Sequence, residues 1–101
     1  MMVCLALDPN AASEAIHLAT STGWSVWLGS DAITEEEQYR LSGTGLRITH
    51  FAYPLAGATQ EVVDDALGEI EEHHPKEVIW VQHVRSGRQI WIPYLGTGIF
   101  D

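Results

Sequence analysis

The stretch Met2-Val3-Cys4-Leu5-Ala6-Leu7-Asp8-Pro9-Asn10 decides the fold. An unbroken apolar run of this kind suits a strand buried on both faces, which is how the central strands of parallel sheets read. Asp8 then offers a capping oxygen and Pro9 a pre-set first helical φ, so strand passes into helix with almost no loop between them. Ala12, Ala15, Ile16 and Ala19 recur at i, i+3, i+4 and i+7 and give that helix one apolar face, and Gly23 is its left-handed stop. A buried strand feeding an amphipathic helix is the first half of a βαβ unit.

Working outward, the pattern repeats. Trp24 to Leu28 is a second apolar strand, broken by Gly29-Ser30-Asp31. Thr34 and Glu37 have the spacing of a capping box for a short second helix, which rests on Ile33, Tyr39 and Leu41 and ends at Gly43 and Gly45. Leu46 to Tyr53 reads as a third strand that Pro54 stops. Thr59 caps a third helix with the buried stripe Val62, Val63, Ala66, Leu67 and Ile70, and His73-His74-Pro75 ends it. Glu77 to Val84 and Gln89 to Tyr94 are strands joined by the turn Arg85-Ser86-Gly87-Arg88, hence an antiparallel hairpin.

The order β-α-β-α-β-α-β-β predicts a single α/β domain over residues 1–101. It is a three-layer or open-faced sandwich with three helices on a mostly parallel sheet. The expected strand order is 2-1-3-4-5, with strand 5 antiparallel. In that order the first helix covers one face alone, and the second and third helices share the other. Strands 4 and 5 are then left partly open, although both their faces are apolar. Large open apolar patches are rare on a monomer. Trp80, Ile90, Trp91 and Ile92 are therefore expected to form the interface of a homodimer, with the tail through Ile99 and Phe100 as the other candidate cover.

Composition narrows the partners. The formal net charge is −9, from 14 acidic against 5 basic side chains, and Lys76 is the only lysine. Phosphate backbones and anionic membrane surfaces repel such a chain, so no direct nucleic-acid or membrane partner is expected; a basic protein partner is the favoured kind. Its docking surface would be the acidic stripe Glu61, Asp64, Asp65, Glu69 and Glu72 on the third helix. The lone cysteine, Cys4, precludes an internal disulfide, and the N-terminal run lacks the basic flank of a signal peptide; both point to a cytoplasmic setting.

In an open α/β sheet, ligands bind beyond the carboxyl ends of the strands, where the strand order reverses. The residues expected there are Asp8, Asn10, Ser30, Asp31, Tyr53, His83 and Arg85. Asp8 and Asp31 serve equally well as helix caps, and Ser30 as a turn residue. No Gly-x-Gly-x-x-Gly, Gly-Lys-Ser/Thr or Gly-x-Ser-x-Gly occurs. Glu69, Glu72, His73 and His74 crowd one helical turn, but an acidic helix ending in histidine reads first as a solvated face with a favourable dipole contact. No catalytic residue, metal or cofactor is expected. The sequence thus points to a non-enzymatic acidic interaction domain, with a small-ligand-binding or enzymatic domain as the alternative.

Overall fold

Strands β1 (Met2–Ala6), β2 (Ser25–Leu28), β3 (Ile48–His50), β4 (Val78–Arg85) and β5 (Arg88–Tyr94) form one five-stranded sheet in the order β3-β2-β1-β4-β5, parallel throughout except for β5. The computed structural model describes residues 2–94, the side chains of residues 84 and 85 excepted. The expected tail contact through Ile99 and Phe100 lies outside the described residues. Along the chain run β1, α1 (Pro9–Thr22), β2, α2 (Glu35–Ser42), β3, α3 (Gln60–His73), β4 and β5.

The α/β class and the antiparallel last strand agree with the sequence; the strand order does not. Expectation placed the third strand between strands 1 and 4, whereas β3 stands at the edge beside β2. The reason lies in its residues. Ile48-Thr49-His50 is short and only half-buried, while β1 and β2 are buried along almost their whole length and Ile79 and Val81 of β4 are buried too. The most apolar strands take the centre, and β1 is flanked by β2 and β4.

The helix layers change with the order. Right-handed crossovers put α1 and α2 on the same face, because both connections step in the same direction, and α3 on the other. Cys4, Ala6, Val26 and Leu28 pack under Ala11, Ala12, Ala15 and Ala19 of α1. Val3, Leu5, Trp27, Ile79 and Val81 pack under Val63, Ala66, Leu67 and Ile70 of α3. The helix that stands alone is thus α3, not α1. Four alanines on α1 let the helix approach the sheet closely, which explains its small-residue stripe.

The caps follow the sequence. Asp8 Oδ1 accepts from Ala11 N at 2.9 Å, Thr34 Oγ1 from Glu37 N at 3.1 Å, and Thr59 Oγ1 from Val62 N at 3.4 Å. Gly23 closes α1 at φ 76°, its N–H donating to Ala19 O. The hairpin turns at Ser86 and Gly87, both with positive φ, as a two-residue turn matched to strand twist requires. One helix expectation fails: Tyr39 is 84% exposed and supports nothing beneath α2, which rests on Leu41 instead.

Candidate functional site

Strand order reverses direction beside β1: α1 carries the chain one way to β2, and α3 returns it past β1 to β4. A hollow of about 620 Å³ opens at this point. Its floor is apolar, from Leu7, Val81 and Ile92. One wall is α3 through Val63 and Leu67, and the loop Leu55 to Ala58 closes one end. The polar residues that line it are Asp8, Gln60, Asp64, Gln82, His83 and Tyr94.

Gln82 organises this site. It is only 4% exposed, in the middle of β4. Its Oε1 accepts from Leu7 N at 2.8 Å, and its Nε2 donates to Asp8 Oδ2 at 2.8 Å. The backbone donor just past the end of β1 is thereby satisfied by a side chain, and Asp8 is fixed through both oxygens. A buried amide has to find such partners, because an unmade hydrogen bond there costs about 1–3 kcal/mol.

The loop wall is tied down as firmly. Asp31 Oδ1 accepts from Leu55 N at 3.2 Å, Ser30 N donates to Tyr53 O at 3.0 Å, and Phe51 N donates to Leu28 O at 2.8 Å. Gly29 permits this approach: a Cβ there would lie 2.8 Å from both Leu55 N and Leu55 Cβ. Asp31 therefore braces the loop and caps no helix; Thr34 caps α2.

The structure divides the residues that sequence placed together. Asp8 and His83 both line the crevice. Tyr53 lines a second hollow of about 560 Å³ on the other side of Ala56, Gly57 and Ala58. Its phenol is held above the ordinary range by burial, then by Glu69 and Asp65. Ser30 and Asp31 serve the loop, and Asn10 lies exposed in the first turn of α1. Arg85 ends β4, but its side chain lies outside the described residues. Sequence reasoning missed Gln82, Gln60 and the Leu55–Ala58 wall. The signal for Gln82 is visible: one amide interrupts Val78-Ile79-Trp80-Val81 before the turn.

The four residues expected at an interface do not share one face. Pairing in β4–β5 puts Ile90 and Ile92 with His83 and Val81, on the side of α3. Trp80 and Trp91 pack on the side of α1. There Trp91 Nε1 donates to Glu14 Oε1 at 2.9 Å, and Trp80 Nε1 donates to Met2 Sδ at 3.0 Å. Of the acidic stripe, Glu61, Asp64, Asp65, Glu69 and Glu72 are all exposed, and Asp64 also borders the crevice.

Elsewhere, Trp27 Nε1 donates to His74 Nε2 at 3.3 Å while His74 Nδ1 donates to Glu77 Oε2. Two neighbours thus occupy both nitrogens of one histidine at the end of α3. His73 Nδ1 lies 3.0 Å from Glu69 O. Among the described residues no three His, Cys, Asp or Glu side chains come together as a metal site, and no helix is long and apolar enough to cross a membrane.

These features define an open α/β domain, wound on both faces, with a crevice at the reversal of its strand order. No family model, curated protein or solved structure matches the chain.

Proposed function

We propose that this domain binds a small molecule in the crevice between β1, β4, β5 and α3. The observation that supports this most is the coincidence of position and build. A hollow of about 620 Å³, apolar below and polar at the rim, lies where open α/β sheets hold their ligands. That volume is in the range of small-molecule sites, about 300–1,000 Å³. The Gln82–Asp8 pair supports it further, since a polar group fixed by buried hydrogen bonds costs nothing to organise when a ligand arrives. The test is a fragment screen followed by amide chemical shifts of the labelled protein. Hits should converge on Leu7, Ala58, Gln82, His83 and Tyr94; hits scattered over the surface would overturn the proposal.

Self-association is the second reading. It rests on β5, which has β4 on one side and, among the described residues, no strand on the other, with Ile90, Trp91 and Ile92 only half-buried. In this reading the domain is an acidic interaction module that dimerises along β4–β5 and offers the exposed carboxylates of α3 to a basic protein. Sedimentation at micromolar concentration decides it: a dimer dissociated by Ile92→Glu supports it, and a monomer removes it.

A further inference from the structure

We infer that the ligand of this crevice is an organic cation, an ammonium group carried on a compact apolar body. The inference rests on the ligand-binding reading above and adds the chemistry of the occupant. Two carboxylates, Asp8 and Asp64, border the hollow, and no lysine or arginine is among its described lining residues. The floor beneath them is Leu7, Val81 and Ile92. A charged head at the rim and an apolar body below would satisfy both parts.

The opposing case is an anion, because α1 and α3 both begin at this edge and a helix N-terminus carries about half a positive charge. Both termini are already engaged. Asp8 Oδ1 accepts from Ala11 N, and Thr59 Oγ1 accepts from Val62 N. Two full negative charges set against two half-charges leave about one unit of negative charge at the rim. At the same wall, the Tyr94 phenol is raised above its ordinary range by burial first, then by Glu71 and Asp64. A bare metal ion fits poorly: calcium and magnesium need about six to eight oxygen ligands over a floor that is hydrocarbon, and among the described residues no three His, Cys, Asp or Glu side chains come together to hold another metal.

Asp8 is poised for the role. Gln82 and Ala11 each take one contact with its two oxygens, and a carboxylate offers about four acceptor sites, so capacity remains for an ammonium donor. Gln60 Nε2 donates to Asp64 Oδ1 at 2.9 Å and orients the second carboxylate in the same way.

Benzylamine, benzyl alcohol and benzoate share a ring and differ in charge, so they separate the ligand class from the site. Each is titrated into the full labelled chain and followed by amide shifts. Benzylamine should bind at least about tenfold more tightly than benzoate, with the largest shifts at Leu7, Ala58, Gln82 and His83. Raising the salt should weaken benzylamine and leave benzyl alcohol unchanged. Asp64→Asn, at an exposed position, should reduce the preference for benzylamine without unfolding the chain, and Asp8→Asn should reduce it more. If benzyl alcohol or benzoate fills the crevice as tightly as benzylamine, the cation inference fails while the site stands. If benzylamine shifts only the outer carboxylate face of α3 around Glu61 and Glu72, the inference fails as mere charge attraction. If none of the three shifts the crevice amides, both the inference and the ligand-binding reading fall.

Discussion

Replacing Gln82 with leucine would remove the centre of the site while keeping the volume of the side chain. Two hydrogen bonds are lost, from Leu7 N and to Asp8 Oδ2, each 2.8 Å long. The first is worth about 1 kcal/mol and the second, to a charged acceptor, about 2 kcal/mol. The added apolar burial returns about 1 kcal/mol. The net cost is about 2 kcal/mol, which for a chain of this size lowers Tm by about 8–16 °C. Urea unfolding followed by tryptophan fluorescence measures it, and an unchanged slope would show that the unfolded state is not the cause. The double variant with Asp8→Ala should show a coupling of about 1 kcal/mol or more, because the two side chains act as a unit. A cost below about 0.5 kcal/mol, or strict additivity, would refute the claim that Gln82 holds the end of β1 and the crevice rim together.

Three further outcomes follow from individual residues. Gly29→Ala drives a Cβ to 2.8 Å from the Leu55 backbone and 3.1 Å from Asp31 Oδ1, so stability should fall by about 1–3 kcal/mol, with amide shifts concentrated in residues 53–58; an unperturbed spectrum would contradict the close approach. His50 has a buried Nε2 without a partner, and burial lowers its pKa from the ordinary 6.5. The native state therefore binds this proton less readily than the unfolded state, and stability is lost as pH falls below 6.5 until the folded-state pKa is passed. His50→Leu should flatten that part of the stability–pH curve, and an unchanged slope would place the effect elsewhere. The Cys4 thiol is 1% exposed and pushed up to about 11 by burial and then by Glu14, so iodoacetamide at pH 8 should modify it only after denaturation, as mass spectrometry would show.

Local signals carried much of this structure in plain sight. Asp8-Pro9, Thr34 and Thr59 start helices, Gly23 ends one, and Ser86-Gly87 turns a hairpin, because each depends on chemistry within a few residues. Strand order is different: it is a competition among strands for the centre. Leu46 to Tyr53 looked apolar enough to compete, yet only Ile48–His50 pairs, and the rest becomes the loop bound to β2. That misplacement also moved the lone helix to the wrong face. It hid the crevice, since the wall at Leu55–Ala58 and the floor at Val81 meet only when β4 lies beside β1. Asp8 and His83 were legible as strand-end residues. Gln82 was not, because its partners, Leu7 and Asp8, are more than seventy residues away in sequence.

The most direct test is a crystal structure of the chain grown with benzylamine. The ring should lie against Val81 and Ile92 and the ammonium within hydrogen-bonding distance of Asp8, with Gln82 still bridging Asp8 and the Leu7 amide. A crevice closed by protein, or a ligand bound only on the outer face of α3, would contradict that placement.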